Sequence, residues 1–167
     1  GWSASDGFVL NNRSIKLRGG CVHHDNGPLG SATVARAEAR RVELLKANGY
    51  NAIRTSHNPV SPEFLDACDR LGVLVMDEAF DCWSRGKNDD DYHIYFDQWW
   101  RHDLAAMVMR DRNHPSVVIW SIGNEIPIRN IPLGYNLSAQ LASFVRALDP
   151  QKRPVGSLTR TTRHTTA

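Results

Sequence analysis

Apolar and polar positions along the chain repeat one pattern, a short apolar strand followed by an amphipathic helix. The apolar runs are continuous, as expected of strands that are buried on both faces of a parallel sheet. The segments between them carry apolar residues at three- and four-residue spacing, which is typical of one buried helix face. The pattern predicts strands at residues 17–22, 51–55, 73–76, 117–120 and 155–158 and helices at residues 33–48, 62–71, 97–111 and 138–148.

The residues at the predicted boundaries agree with these elements. Ser61 is a typical N-cap, Pro62 suits the first helical position, and Gly72 follows the last turn of the same helix. Two short apolar stretches flank Asn11-Asn12, and asparagine tolerates positive φ, so a β-hairpin is predicted within residues 7–17. Strands that alternate with helices predict the α/β class, with a parallel sheet covered by helices.

Composition and charge exclude several classes of protein and partner. The chain has 167 residues, of which 41% are hydrophobic and 23% charged, as in globular domains. No apolar run approaches the roughly 20 residues of a membrane span, so no membrane partner is expected. Four basic residues and no acid lie in residues 151–167, which leaves 16 basic against 18 acidic residues before them. This balance provides no basic face for nucleic acid.

The cysteines and the two ends of the chain add little chemistry. Cys21, Cys68 and Cys82 are too few and too scattered for a disulfide framework or a zinc ribbon. No charged segment followed by an apolar run opens the chain, so no signal peptide is expected in it. Residues 159–167 are polar and repetitive, and we interpret them as a disordered or non-native tail.

Polar clusters follow four of the predicted strands at their carboxyl ends. In α/β barrels and open parallel sheets, this edge is where ligands bind. A single histidine beside a strand is more often a structural donor than a catalyst, but the recurrence at one edge indicates a functional site. The clusters are His23-His24-Asp25, Arg54-Thr55-Ser56-His57, Asp77-Glu78 and Asn124-Glu125.

Glu125 is the strongest candidate for acid–base chemistry. It leaves a strand that is poor in water, and burial raises the pKa of a carboxyl group, which keeps it protonated for general-acid work. The neighbouring Asn124 amide could hold a sugar hydroxyl. The alternative is that Glu125 caps the loop or pairs with Arg54.

Two long motifs resemble signatures of family 2 glycoside hydrolases, the group of β-galactosidases, β-glucuronidases and β-mannosidases. Residues 111–125 (DRNHPSVVIWSIGNE) resemble the acid/base signature position by position. Residues 51–59 (NAIRTSHNP) resemble the second signature, with Asn58 where a tyrosine is usual. Residues 17–24 resemble the first barrel strand and residues 7–17 the hairpin on the barrel floor. The resemblance covers about residues 7–155 and is closest to the β-galactosidase-like branch.

The resemblance implies a partial (β/α)8 TIM barrel, with about four βα units behind a β-hairpin. A full barrel has eight strands, so the chain corresponds to the first half of one. The implied division is a hairpin at residues 1–16, the half-barrel at residues 17–158 and the tail at residues 159–167.

The resemblance also implies a retaining glycosidase mechanism, with Glu125 as the general acid/base and Asn124 on the sugar 2-hydroxyl. The nucleophilic carboxylate of the family comes from the seventh strand, so it is expected to be missing from this chain. The chain by itself is therefore expected to be inactive. The other substrate-binding residues implied by the family pattern are Arg54, His57, His24 or His23, Asp77, and Trp83 as an apolar face; Trp120 is expected to pack in the core.

No cofactor is expected. Some β-galactosidases hold magnesium with a Glu and a His shortly after the third strand, but residues 79–84 read AFDCWS, so no metal is predicted. A metal-hydrolase cluster of His23, His24, His57 and Asp77 is an alternative. It is disfavoured because adjacent histidines on a strand point to opposite faces.

A different class of function remains open, a catalytically silent half-barrel that binds carbohydrate or serves in assembly. A half-barrel exposes two sheet edges and an apolar face, so self-association is expected. The sugar itself is not specified, because later strands and loops set it. Localisation is left open, and a periplasmic or extracellular parent enzyme is compatible with the resemblance.

Overall fold

Three short strands at the start of the chain form an antiparallel sheet. The computed structural model describes residues 1–3 and 5–158. Strands β1 (Trp2–Ser3), β2 (Gly7–Leu10) and β3 (Arg13–Ser14) lie in the order β1-β2-β3. Asn11 and Asn12 connect β2 to β3 with φ of 49° and 62°. A two-residue turn between antiparallel strands favours positive φ at both positions, which explains the asparagines and confirms the predicted hairpin.

A second, parallel sheet carries the rest of the fold. Its five strands lie in chain order: β4 (Gly19–His23), β5 (Ala52–Ser56), β6 (Leu74–Glu78), β7 (Val117–Asn124) and β8 (Val155–Leu158). Every neighbouring pair in this sheet is parallel. All five carboxyl ends therefore meet at one edge, as the sequence predicts.

One helix connects each pair of successive strands in the parallel sheet. The helices are α1 (Ala35–Ala47), α2 (Pro62–Leu71), α3 (His93–Asp111) and α4 (Pro132–Leu148), and a 3-10 turn at Gly27–Leu29 precedes α1. Helix α1 packs against α2, and α3 packs against α4. The four βα units confirm the predicted α/β class.

The hydrophobic core lies between the sheet and the helices. Phe64 and Leu104 from the helices and Val75 and Trp120 from the strands are all buried there. The other face of the sheet is concave and holds a cavity of about 290 Å³. The side chains around it include Leu17, Cys21, Ala52, Leu74, Met76, Val118, Ile119 and Leu158.

Three elements extend beyond their predicted bounds by four residues or more. Helix α3 begins at His93 rather than residue 97, because the Asp91 carboxylate accepts the backbone N–H of His93 at 3.0 Å. Helix α4 begins at Pro132 rather than residue 138, and proline suits a first helical turn. Strand β7 continues to Asn124 rather than ending at residue 120.

No helix among the described residues is long and apolar enough to cross a membrane. The predicted tail, residues 159–167, lies outside the described residues.

Candidate active site

The buried Glu78 carboxylate is the centre of the polar groups at the carboxyl edge of the sheet. Its oxygens accept hydrogen bonds from Arg54 Nε at 2.9 Å and from Ser121 Oγ at 2.6 Å. His57 Nδ1 lies 2.7 Å from Glu78 Oε1, where the ring can donate to the carboxylate. The Glu78 side chain has no exposed surface, so these partners replace the water that it loses on folding.

Arg54 and Asn124 connect this carboxylate to the end of β7. Arg54 Nη2 donates to Glu78 Oε1 at 3.0 Å and to Asn124 Oδ1 at 2.8 Å. Asn124 is buried, and its Nδ2 donates to Asp81 Oδ1 at 2.9 Å. One hydrogen of the Asn124 amide therefore has a protein acceptor, and the second has none among the described residues.

Glu125 follows directly, in a left-handed backbone conformation with φ of 46°. Its N–H donates to the carbonyl of Leu158 at 2.7 Å, which ties the residue to β8. Glu125 is exposed, so the buried environment predicted for it is not provided by the described residues. The alternative pairing with Arg54 is not formed either, because Arg54 pairs with Glu78.

The predicted role of Asp77 does not fit the geometry. Successive side chains on a strand point to opposite faces, so Asp77 and Glu78 cannot both reach the site. Asp77 is completely buried on the helix side of β6, where it accepts a hydrogen bond from Thr55 Oγ1 at 3.3 Å and lies against Asp111. Glu78 faces the site in its place. The alternative metal cluster of His23, His24, His57 and Asp77 is therefore not brought together.

His23 joins the site, and His24 does not contact it in the described residues. The His23 ring meets the His57 ring edge-on, with centroids 5.4 Å apart. The carbonyl of His23 accepts a hydrogen bond from Arg41. His24 lies exposed in the bend after β4.

Trp83 is a core residue, which corrects its predicted role as a sugar-stacking face. Its side chain is 1% exposed, and Nε1 donates to the carbonyl of Ile122 at 2.7 Å. Trp120 is equally buried, as expected, and its Nε1 donates to Asp149 Oδ2 at 3.0 Å. Neither ring presents a face to a ligand in the described structure.

Three polar residues reach the site that the sequence did not single out: Asp81, Lys87 and Ser121. Glu78 also reaches it, from a predicted strand-end cluster in which no role was assigned to it. Lys87 Nζ donates to Asp81 Oδ1 at 2.6 Å and to the carbonyl of Asn124 at 2.8 Å. Asp81 and Lys87 lie in the long loop before α3, and no local pattern marks such residues. Glu78 belongs to the Asp77-Glu78 cluster of the sequence, but nothing in the sequence of β6 shows which of these two acids faces the site.

A separate group lies away from this edge, at the turn before β7. Asp66, Asp69 and His114 have ligand atoms within 4.8 Å of one another. His114 Nδ1 lies 2.7 Å from Asp69 Oδ2, and the Ser116 N–H donates to Asp69 Oδ1 at 2.9 Å. These bonds fix the turn into β7, so the histidine of the long motif has a structural role.

Comparison with known proteins agrees with the fold and the motifs. Residues 4–165 match the family described as glycosyl hydrolases family 2, TIM barrel domain. The solved structure of a family 2 member from Bacteroides cellulosilyticus superposes with a TM-score of 0.93 at 52% identity, over 98% of this chain and 21% of that one.

Two curated relatives carry the names of glycosidases. The β-galactosidase BoGH2A of Bacteroides ovatus is 54% identical over 123 residues, which is 74% of this chain. A putative β-glucuronidase of Formosa agariphila is 40% identical over 151 residues, which is 90% of this chain. The matched part is 14% of the length of each relative. The five parallel strands are thus a partial barrel, and the chain belongs to glycosyl hydrolase family 2 as part of its TIM barrel domain.

Proposed function

We propose that the protein carrying this segment hydrolyses terminal β-glycosidic bonds with retention of configuration, with Glu125 as the general acid/base. The observation that carries the proposal is the position of Asn124 and Glu125 at the end of β7, beside the Arg54–Glu78 ion pair. Charged and amide donors at one sheet edge suit a neutral ligand with many hydroxyls.

Two proton transfers define the role of Glu125. Its carboxyl group donates a proton to the glycosidic oxygen while a nucleophilic carboxylate attacks the anomeric carbon and the aglycone leaves. The resulting Glu125 carboxylate then takes a proton from water, which attacks the glycosyl-enzyme and releases the sugar. Asn124 would hold the 2-hydroxyl through its free amide hydrogen, a contact that strengthens at the transition state.

The second carboxylate must come from elsewhere in the polypeptide. A retaining enzyme needs its two carboxyl groups about 5–5.5 Å apart. In the family pattern the nucleophile follows the seventh strand, whereas the described residues form five parallel strands. We infer that this segment, made alone, turns over no glycoside.

The substrate class proposed is a terminal β-galactoside. The 54% identity to a β-galactosidase supports it over the β-glucuronide suggested by the more distant relative. Nitrophenyl β-galactoside and β-glucuronide, offered in parallel to the full-length protein, separate the two sugars.

Replacing Glu125 by Gln in the full-length protein tests the acid/base assignment. General acid–base catalysis contributes about 10²–10⁴-fold, so kcat on a substrate with a poor leaving group should fall by that factor. A dinitrophenyl leaving group departs without protonation, so glycosylation of the variant by that substrate should be impaired far less. Steady-state and burst kinetics on the two substrates measure both effects.

Glu43→Gln is the matched control. Glu43 pairs with Arg36 on the outer face of α1, far from the strand ends. The activity of the Glu43→Gln variant should therefore match that of the wild type. Full activity of Glu125→Gln on the poor leaving group would refute the assignment.

The second candidate is a silent half-barrel that binds sugar or assembles. The open concave face, with its largely apolar lining, favours assembly among these two roles. Titration of the segment with galactose, followed by calorimetry, tests the binding role, and binding without turnover is its signature.

A further inference from the structure

Asp81 lies at the edge of the site and has no role in the mechanism above. It follows the end of β6 by three residues, and its side chain is 46% exposed. Both of its hydrogen bonds in the described structure go to Oδ1, from Lys87 Nζ at 2.6 Å and from Asn124 Nδ2 at 2.9 Å. Its Oδ2 is therefore open to a donor from outside the described residues.

Lys87 holds this carboxylate in one place. Its Nζ also donates to the carbonyl of Asn124 at 2.8 Å, so a single ammonium group connects Asp81 to the backbone directly before Glu125. The Lys87 side chain is 24% exposed, less than the carboxylate that it holds. An acceptor fixed in this way loses little conformational freedom when a ligand binds.

The loop that carries both residues is fixed by Asp91. The Asp91 carboxylate accepts the backbone N–H groups of Lys87 at 2.7 Å, Asn88 at 2.9 Å and His93 at 3.0 Å. Cys82 Sγ donates to the same carboxylate at 3.1 Å. The loop is thus folded around one anion, and Asp81 projects from a rigid support.

Asp81 is ionised at neutral pH. Partial burial by itself would raise its pKa, but the hydrogen bonds from Lys87 and Asn124 outweigh burial and hold the pKa of Asp81 below its ordinary value. A hydroxyl that donates to an ionised carboxylate forms a stronger hydrogen bond than one that donates to a neutral acceptor.

We propose that Asp81 is a further substrate-binding residue of this site, that it accepts a hydrogen bond from a sugar hydroxyl through Oδ2, and that Lys87 is its positioning residue. The inference rests on the proposed glycosidase function. A substrate-binding role of Asp81 differs from a purely structural Asp81–Lys87 ion pair in one prediction. Only the binding role makes the effect of replacing Asp81 depend on a single hydroxyl of the substrate.

The experiment combines Asp81→Ala in the full-length protein with a series of monodeoxy nitrophenyl β-galactosides. A hydrogen bond to a charged group contributes about 1.5–3 kcal/mol, so the wild type should lose about ten- to a hundredfold in kcat/KM on one deoxy sugar. The Asp81→Ala variant should lose a similar factor on the parent sugar. Its kcat/KM should fall little further when that one hydroxyl is also absent from the substrate. For every other hydroxyl, the effect of its removal should add to the effect of Asp81→Ala.

Asp90→Ala is the matched control, since Asp90 is exposed in the same loop, and all of its deoxy effects should be additive. Asp81→Asn, which keeps the shape of the side chain, provides the same comparison if the alanine variant does not fold. Additive effects at every hydroxyl in an active protein would overturn the proposal. A wild type inactive on every glycoside would overturn the proposed function and this inference with it.

Lys87 is tested by Lys87→Met and Lys87→Arg. The methionine variant should lose the selectivity for the same hydroxyl, and the arginine variant should recover part of it. A structural role alone would lower the melting temperature and leave the selectivity unchanged, which would overturn the positioning role. Lys16→Met, at an exposed lysine outside the parallel sheet, controls for the loss of one positive charge.

Discussion

Asp77 and Glu78 are adjacent carboxyl groups that the fold treats in opposite ways. Glu78 is buried among hydrogen-bond donors, with Arg54 Nη2 2.8 Å from its Oε2. Among the described residues, Asp77 Oδ2 has no hydrogen-bond partner, and its neighbour Asp111 is itself a carboxyl group held by Arg110. Burial, together with Asp111, raises the pKa of Asp77 well above its ordinary value. Burial therefore favours the protonated, neutral form of Asp77.

This arrangement predicts a dependence of stability on pH. The contribution of Asp77 to the free energy of unfolding is complete below the ordinary Asp pKa and decreases as pH rises toward its raised value in the folded protein. Asp77→Asn keeps the hydrogen bonds without the titration. The variant should therefore gain stability relative to the wild type as pH rises above the ordinary Asp pKa, measured by urea unfolding.

Asp149→Asn should show the opposite slope. Hydrogen bonds from Trp120 and Arg153 outweigh burial and lower the pKa of Asp149, so its contribution is present above the ordinary Asp pKa and is lost as pH falls. Breaking the buried Asp149–Arg153 ion pair should lower the free energy of unfolding by about 3–5 kcal/mol at neutral pH and by less in acid. Parallel slopes for the two variants would contradict both assignments.

Which carboxyl group faces the site could not be predicted from the sequence. Strand β6 is apolar before both acids. One of its faces packs against the helices, and the other lines the apolar concave face of the sheet. Because apolar and polar residues do not alternate along this strand, the sequence does not show which of the two acids faces the site. Arg54, His57 and Asn124, by contrast, belong to motifs whose spacing was informative, and the structure brings these three together.

At the scale of elements, α2 depends on both of its ends. Ser61 Oγ accepts the N–H of Phe64 at 3.2 Å, and Gly72 ends the helix at φ of 70°. Ser61→Ala should therefore lower the free energy of unfolding by about 1 kcal/mol. Ser138→Ala, inside α4, removes a hydroxyl with no capping role and should change stability by less than about 0.5 kcal/mol. Equal losses, measured by urea unfolding, would contradict the capping role.

The order and type of elements in the parallel sheet were predictable, while several boundaries were not. Apolar spacing and caps located all four helices, since each buries one face against the sheet. The last four residues of β7 were missed because they are mostly small or polar, and they stay in the strand through contacts with other strands. Ser121 Oγ, for example, donates to Glu78 on β6. Such long-range bonds leave no local pattern.

At the scale of the whole molecule, the concave face is incomplete. The cavity there is lined by side chains that a full barrel would cover, among them Leu74 and Val118. The segment alone should therefore associate, with a light-scattering mass twice that of the monomer. Leu74→Glu should restore the monomer mass, because association would bury the introduced carboxylate in a largely apolar face.

Met109→Glu is the control for this experiment. Met109 is 48% exposed on α3, away from the concave face, so this variant should associate as the wild type does. A wild-type segment that is monomeric at all concentrations would contradict association through the concave face.

The strand order of the parallel sheet has a consequence for biosynthesis. Each strand from β5 to β8 pairs with the strand made just before it, so no pairing waits for a distant segment. During translation the N-terminal part of a chain folds first. Arg54, Glu78 and Asn124 can therefore meet in the order in which the ribosome releases them, and the Arg54–Glu78 pair can form before Asn124 has been synthesised.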